Sequence, residues 1–341
     1  MVLLCGEIIK ILGNNMEHVD CDFCGSAEFE LVVSQSDILH NTTTEVFSVV
    51  SCQGCGLQFV NPRPAADQMD QYYSDVYSFH SQQGWTRRTI SSVLQWIANS
   101  SFYGLFNHIP GLSQKLSLYV IPKIEDPVQS YFKGGKILDI GCGSGVFAHF
   151  WGKKGSLLAY KKFADVYGVE VSEKARDVLS NEGIRSYKSL VEVPSDLHFE
   201  IIRMNWSLEH VHSPSDYFKF ISSHLIGGGK AIITVPNYDG LLYLLAKDCV
   251  EVPIHLYHFR IQDIFSYAER FGLSVVEYKT FSYPQMFFFA ARLFPQLKLF
   301  SPPTKILETH FFQKILNKLD VKDMGNDMMF VLEKSDVHAP E

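Results

Sequence analysis

Four cysteines in two short motifs are the clearest candidates for chemistry in the 341-residue sequence. Cys21 and Cys24 belong to CDFCG, and Cys52 and Cys55 belong to CQGCG. Each motif can present two thiolates to one metal ion, and its glycine permits the tight turn beneath the ion. The spacing therefore predicts a structural Zn2+ site with four thiolate ligands, in a zinc ribbon over residues 16–62. Two disulfides are the alternative, which a reducing cytoplasm disfavours.

A glycine-rich loop is the second candidate. In KILDIGCGSGVFAHF, a predicted buried strand ends at Gly141, Gly143 and Gly145, and a helix is predicted to start near Val146. Glycines let the backbone lie close against a ligand, and the N-terminus of the helix adds a favourable partial positive charge. The spacing predicts a cofactor site, but by itself it suits a nicotinamide cofactor as well as S-adenosylmethionine.

Two acidic residues near these glycines favour S-adenosylmethionine. Asp139 lies on the predicted strand directly before the glycines, where its carboxylate can attract the ammonium group of that cofactor. Glu170 ends the next predicted strand, DVYGVEVS, where its carboxylate can accept hydrogen bonds from both ribose hydroxyls. We therefore expect S-adenosyl-L-methionine as the cofactor.

Acidic and imidazole side chains in NWSLEHVHSP form the third candidate group. Glu209 or His210 could act as a general base, since histidine titrates close to neutral pH. Glu209 could equally satisfy backbone amides while His210 packs on a neighbour. A metal site made of His210 and His212 would need ligands that the local sequence does not supply. His255 and His258, in VEVPIHLYHF, are further candidates for the base, or stabilise a loop through hydrogen bonds.

The order of these motifs resembles the class I S-adenosylmethionine-dependent methyltransferases. LDIGCGSG, GVEVS, LEHVHSP, IGGGKAIITVPN and HLYHF follow one another as in that family. CDFCG, CQGCGLQFVNPRP and QYYSDVY resemble the branch with an N-terminal zinc ribbon, whose members are often associated with sugar or polysaccharide biosynthesis. The resemblance spans roughly residues 21–281.

The resemblance implies an α/β fold with a Rossmann-like, mostly parallel methyltransferase sheet whose last strand is antiparallel. Seven strands are predicted, at residues 136–141, 165–170, about 184–187, 200–204, 230–235, 274–281 and 328–333. A helical linker or cap is expected over residues 63–130, and the methyltransferase domain over residues 131–341. An insertion at about 282–326 contains PQMFFFAARLFPQLKLF. It could cover the substrate pocket, form a dimer contact or rest on a membrane, and we expect it to be buried within the protein.

The resemblance also implies roles for the residues after the fourth strand. Asn205 ends that strand and lines the methionine part of the cofactor, at the edge where ligands of open α/β sheets bind. Ser213 is predicted as the N-cap and Pro214 as the first residue of the next helix. Glu209 and His210 then lie in the turn that faces the transferred methyl group.

The composition disfavours some classes of protein. The net charge is −7 and the pI is near 6.0, whereas a general nucleic-acid-binding protein needs a positive surface. No apolar segment reaches the length that crosses a bilayer, and MVLLCGEIIKIL, with Glu7 and Lys10, does not resemble a signal peptide. We expect a cytoplasmic protein, with Met16 as an alternative start to Met1.

Together these observations predict a methyltransferase that acts on a small-molecule acceptor, such as a sugar or a nucleotide-sugar, at oxygen or carbon. An RNA methyltransferase that uses the ribbon for recognition is one alternative, which the acidic charge disfavours. A catalytically silent binding protein is the other, and the intact glycine loop and acidic residues disfavour it. We expect no nucleic-acid partner, and a homodimer stays open.

Overall fold

The N-terminal part of the chain is a small antiparallel sheet that carries the four cysteines. The computed structural model describes residues 16–73, 126–146, 154–300 and 306–334. The strands of the first range are β1 (Met16–Glu17), β2 (Phe29–Ser36), β3 (Val46–Cys52), β4 (Gln58–Val60) and β5 (Arg63–Pro64). β2 and β3 form a hairpin, β4 adds to β3, and β1 pairs with β5.

A second, larger sheet forms the body of the protein. Its seven strands are β6 (Lys136–Ile140), β7 (Asp165–Val169), β8 (Arg185–Tyr187), β9 (Phe199–Asn205), β10 (Leu225–Pro236), β12 (Leu273–Phe281) and β13 (Asp327–Lys334). Their order is β12-β13-β10-β9-β6-β7-β8. β13 is antiparallel to both of its neighbours, and the other pairs are parallel. The predicted sheet, with its antiparallel last strand, is confirmed.

The central strands of this sheet are apolar on both faces because each face supports a core of its own. Leu138 and Ile202 pack into one hydrophobic cluster, whereas their neighbours Ile137 and Ile201 pack into the other. This alternation explains why the segments read as nearly continuous apolar runs in the sequence. β10 begins five residues before the predicted strand because Leu225 already pairs with Phe199, ahead of an irregularity at the glycines.

Helices connect the strands and cover the sheet. They are α1 (Pro127–Tyr131), α2 (Leu157–Tyr160), α3 (Glu173–Asn181), α4 (Pro214–His224), α5 (Leu241–Leu245), α6 (Ile261–Arg270), α7 (Pro284–Leu293) and α8 (Ile306–Asp320). Short 3-10 helices span Ala66–Tyr72, Leu190–Glu192, Leu208–His210 and Pro295–Phe300. Ser213 caps α4 and Pro214 begins it, as predicted.

The ribbon is continuous with the body of the protein. A short strand, β11 (Tyr257–His258), pairs antiparallel with β4, so that the ribbon sheet has the order β11-β4-β3-β2. The register places His258 opposite Gln58. The ribbon sheet therefore includes a strand from the later part of the chain.

Part of the apolar surface of the insertion packs inside the protein, as we expected, whereas Leu293, Phe311 and Ile315 are exposed. Phe287, Phe294 and Leu316 form a buried cluster with Leu242 and Tyr243. Of the predicted linker over residues 63–130, residues 74–125 lie outside the described part, so the domain boundaries stay predictions. Among the described residues, no helix combines the length and the apolar character that a membrane crossing requires.

Candidate functional site

The four cysteines of the ribbon meet in space. Their Sγ atoms all lie within 4.8 Å of one another, with 3.5 Å between Cys21 and Cys55 and 3.4 Å between Cys24 and Cys52. Four sulfurs at the Zn–S distance of a tetrahedral zinc ion lie about 3.8 Å apart. A side chain at Gly54 would place its Cβ 3.2 Å from the Cys24 sulfur and would crowd the cluster. The arrangement fits a zinc ion.

The glycine loop follows β6 and lies against the turn after β9. Gly141, Gly143 and Gly145 have φ values of +74°, +54° and +66°, in the left-handed region that favours glycine. A Cβ on Gly141 would also lie 2.5 Å from Cβ of Ser207. The Ser207 hydroxyl donates to the carbonyl of Ile140 at 2.9 Å, which holds the two segments together.

Asp139 has a different role from the one we expected. Its carboxylate accepts two hydrogen bonds from the guanidinium of Arg203, one of them at 3.2 Å from Nε to Oδ1. Arg203 lies directly opposite Asp139 in the register of β6 and β9, and both side chains are buried. Arg203 also donates to the carbonyl of Gly155 and to the hydroxyl of Tyr160. The charge of Asp139 is therefore already compensated within the protein, and it does not stand open to an ammonium group.

Glu170 joins the glycine loop to the end of β7. Its Oε2 accepts from the amide of Gly143 at 2.8 Å, and its Oε1 accepts from the amide of Ser172 at 2.9 Å. Glu170 thus lies beside the glycine loop, directly after β7. Its role as the ribose ligand stays a prediction.

Asn205 is the last residue of β9, and its side-chain oxygen is a potential hydrogen-bond acceptor. Its Oδ1 is buried and has no hydrogen-bond partner among the described residues. A buried amide oxygen without a donor is costly, so this position fits a ligand that supplies one. The next residue, Trp206, has a φ of +48°, which is uncommon for a residue with a side chain, and its Nε1 donates to Asp327 at 2.7 Å. The chain turns sharply here, at the carboxyl edge of the sheet.

Glu209 is fully buried in the turn Leu208–His210. Neither carboxylate oxygen has a hydrogen-bond partner in the described part of the chain. Burial raises the pKa of Glu209 well above its usual value, and the nearby charges of Glu251 and Asp327 raise it further. The interpretation in which Glu209 satisfies backbone amides stays a prediction, as does its role as a base. A buried, unpartnered carboxyl group points to a ligand.

His210 is held in one orientation by the backbone. Its Nδ1 lies 2.8 Å from the carbonyl of Ile254, which assigns the proton to Nδ1 and leaves Nε2 as the acceptor nitrogen. Nε2 lies 3.9 Å from Oε1 of Glu209. Burial lowers the pKa of His210 to about 3, so that the ring is neutral at physiological pH.

A carboxylate connects His255 to the ribbon. The ring of His255 packs edge-on against His210, with centroids 4.7 Å apart. Oε2 of Glu251 lies 3.8 Å from Nε2 of His255 and 3.0 Å from Nε2 of His40, which belongs to the ribbon. Burial raises the pKa of Glu251, but the charge of His255 and the hydrogen bond from His40 outweigh it and lower the pKa to about 2. Tyr238 completes the group, with its hydroxyl 3.3 Å from Nδ1 of His255.

His258 and His212 have opposite surroundings. His258 is fully buried on β11, and neither ring nitrogen has a hydrogen-bond partner among the described residues. Its ring packs against Tyr238, with centroids 4.4 Å apart. His212 instead lies with its Nε2 3.0 Å from the carbonyl of Pro64. His258 thus belongs to the same buried region as His255, and His212 does not.

The structure does not bring His210 and His212 together as metal ligands, but it brings His210 close to two other potential ligands. His210 and His212 do not converge, because His212 contacts the ribbon backbone. Glu209, His210 and His255 do converge, with one potential ligand atom from each within 4.8 Å of the others. These three residues could hold a divalent cation, and His255 is the ligand that the local sequence did not supply.

Sequence reasoning missed several residues of the site. Arg203 left a signal, since a single charged residue within the apolar strand FEIIRMN requires a buried partner. Glu251 lies four residues before His255, which is a weak signal in a segment without a regular helix. His40 and Asp327 left none, because only the fold brings them to this edge.

Comparisons with known proteins agree with this geometry. Residues 117–278 match the protein family described as Methyltransferase domain. A ubiquinone biosynthesis O-methyltransferase from Coxiella burnetii is 28% identical over 124 residues, which cover 34% of this chain and 50% of that protein. The mitochondrial ubiquinone biosynthesis O-methyltransferase of Dictyostelium discoideum is 21% identical over 192 residues, covering 50% of this chain and 60% of that protein. The chain thus spans about half the length of the curated relatives that it matches.

Solved structures of similar proteins include an S-adenosylmethionine-dependent methyltransferase from Mesorhizobium loti. It has 16% sequence identity and a TM-score of 0.41, over 61% of this chain and 96% of that one. The family match and the strand order together define the class: the chain contains a class I S-adenosylmethionine-dependent methyltransferase domain.

Proposed function

We propose that the whole protein is an S-adenosylmethionine-dependent methyltransferase that acts on a hydroxyl group of a small-molecule acceptor. The observation that carries this proposal is that several buried polar atoms near the end of β9 and on β11 have no hydrogen-bond partner among the described residues: Oδ1 of Asn205, the carboxyl group of Glu209 and the ring nitrogens of His258. Such atoms are rare in a folded protein unless a ligand completes them. Asn205 is the last residue of β9, and Glu209 lies in the turn that follows it. His258 lies on β11, which pairs with the ribbon.

The cofactor part of the site would use the glycine loop and the ends of two neighbouring strands. Gly141, Gly143 and Gly145 bring the backbone close to the ligand, and Glu170 would accept from the ribose hydroxyls. Asn205 would accept a hydrogen bond from the methionine part through its buried Oδ1. When bound, S-adenosylmethionine supplies a methyl group on a sulfonium centre, which leaves as a neutral thioether and needs no acid.

The acceptor part would use His210 as the general base. Its Nδ1 proton is directed to the carbonyl of Ile254, so that Nε2 can receive the proton of an acceptor hydroxyl. The neutral carboxyl group of Glu209, 3.9 Å away, could hydrogen-bond the same acceptor. His255 packs on His210 and restricts its rotation, while His258 offers a second polar contact for the acceptor.

The acceptor class rests on two resemblances. The curated relatives are named as O-methyltransferases, which favours oxygen as the accepting atom. The N-terminal CxxC motifs resemble a branch associated with sugar biosynthesis, which favours a sugar or nucleotide-sugar. We also propose that Cys21, Cys24, Cys52 and Cys55 hold a structural zinc ion, on the basis of their sulfur separations.

Binding and turnover can be tested separately. Calorimetry with S-adenosylhomocysteine tests the cofactor site alone, and the absence of binding would end the proposal. A panel of nucleotide-sugars, free sugars and catechols, incubated with methyl-labelled S-adenosylmethionine, then tests the acceptor class. Label transfer to a catechol but to no sugar would reject the sugar assignment and keep the methyltransferase assignment.

A further inference from the structure

The first cysteine knuckle is hydrogen-bonded to the start of α4, directly after the turn that carries Glu209 and His210. Asp22 lies between Cys21 and Cys24, and its side chain reaches across to the start of α4. Oδ1 accepts from the Ser213 hydroxyl at 2.9 Å, and Oδ2 accepts from the Ser215 amide at 2.9 Å. The Ser215 hydroxyl donates to Oδ2 at 2.7 Å and is also 3.1 Å from the backbone carbonyl of Asp22.

Asp22 also contacts the helix that packs beside α4. The hydroxyl of Tyr267, on α6, donates to Oδ2 of Asp22 at 2.7 Å. The carboxylate therefore accepts four hydrogen bonds from three residues of the methyltransferase domain. A carboxylate at the N-terminus of a helix is further stabilised by the unpaired amides and the helix dipole.

The ribbon holds the same turn from a second side. Nη1 of Arg63 donates to the carbonyl of His212 at 2.8 Å. Nε2 of His212 donates to the carbonyl of Pro64 at 3.0 Å. The chain from Glu209 to Ser215 thus contacts the ribbon at positions 212, 213 and 215, directly after the residues of the acceptor site.

We propose that Asp22 is a positioning residue that couples metal binding in the ribbon to the geometry of the Glu209–His210 turn. Zinc would fix the backbone between Cys21 and Cys24, and with it the carboxylate that caps α4. The part of this inference that concerns the acceptor rests on the function proposed above. The coupling itself concerns the folded protein and holds whatever the acceptor is.

Hydrogen–deuterium exchange of the full, zinc-loaded chain tests the coupling without an acceptor. We expect Asp22→Ala to speed exchange at least tenfold in peptides that cover residues 208–216, while peptides of β6 keep their native rate. Removal of zinc from the native chain with a chelator should give the same local change. Asp20→Ala is the matched control. It removes the same charge two residues from Asp22, at a position that is exposed.

A second readout reports on the site itself. We expect the 13Cε1 NMR signal of His210 to shift in Asp22→Ala and to keep its native position in Asp20→Ala, with affinity for S-adenosylhomocysteine unchanged within twofold in both. If Asp22→Ala does not fold, Ser215→Ala removes hydroxyl bonds from the opposite side and should speed exchange in the same peptides. Native exchange rates over residues 208–216 in these variants, or after zinc removal, would overturn the coupling. Failure to bind S-adenosylhomocysteine would instead reject the proposed function and leave the coupling standing.

Discussion

Asp139 and Arg203 form a buried ion pair across two neighbouring strands, directly behind the glycine loop. The pair joins β6, which leads into the glycine loop, to β9, which leads into the turn Leu208–His210. Burial lowers the pKa of Arg203, but the Asp139 carboxylate outweighs it and raises that pKa above its usual value. The guanidinium of Arg203 therefore stays charged in the buried pair.

Replacement of Arg203 should destabilise the protein strongly. Arg203→Leu leaves the buried carboxylate of Asp139 without its partner, which costs about 3–5 kcal/mol in the free energy of unfolding. Urea denaturation measures the loss. Arg185→Leu, at an exposed position on the edge strand β8, is the control and should change stability by about 0.5 kcal/mol or less. Equal losses in the two variants would show that the buried pair has no special role.

Purified protein should contain one zinc ion per chain. Cys21→Ser removes one of four converging thiolates, so the zinc content should fall, whereas Cys249→Ser, at a buried thiol outside the cluster, should keep it. Elemental analysis gives the ratio. A metal-free native protein would contradict the ribbon assignment, and two ions per chain would show that Glu209, His210 and His255 also bind metal.

Glu170 should determine the affinity for the cofactor. Glu170→Ala removes the carboxylate that we propose as the acceptor of the ribose hydroxyls, and it should weaken binding of S-adenosylhomocysteine by about 1.5–3 kcal/mol. Calorimetry measures the change. Glu173→Ala, at an exposed position in the first turn of α3, is the control. Native affinity in Glu170→Ala would mean that another residue binds the ribose.

His210→Gln should lower turnover by roughly 10²–10⁴ while cofactor affinity stays unchanged, since a general base acts on the acceptor alone. His198→Gln is the control, because His198 lies at an exposed position. The expected pH profile differs from that of an ordinary histidine base. Burial holds the pKa of His210 near 3, so the rate should not fall between pH 8 and pH 5 through loss of this base. A loss of activity centred near pH 6.5 would contradict this assignment.

Stability should fall in acid because His258 is buried as a neutral ring. Burial lowers its pKa from 6.5 to about 3, so the unfolded chain binds more protons than the folded one between these values. Stability contributed by neutral His258 is present above pH 6.5 and is lost as the pH falls toward 3, by at most about 1.4 kcal/mol per pH unit. His258→Phe should reduce the slope of unfolding free energy against pH, and His198→Phe, at an exposed position, should leave it unchanged.

The sequence by itself determined the elements whose causes are local. The seven strands, the glycine loop and the two knuckles follow from apolar runs, from glycine conformations and from cysteine spacing. The N-cap at Ser213 and the proline after it are equally local. Each of these features depends on residues within a few positions of one another, so one sequence contains enough information to place them.

Only the tertiary structure decided which polar groups face one another. His40 and Glu251 are 211 positions apart, yet their side chains meet because β11 extends the ribbon sheet. Asp139 found a partner in Arg203 through the register of two parallel strands, which no local pattern specifies. A buried charge or imidazole must be matched by whatever the packed chain places beside it. For that reason the candidate residues could be chosen from the sequence, while their partners depended on the fold. The contacts of the ribbon with Glu251 and with the start of α4 also depended on the fold.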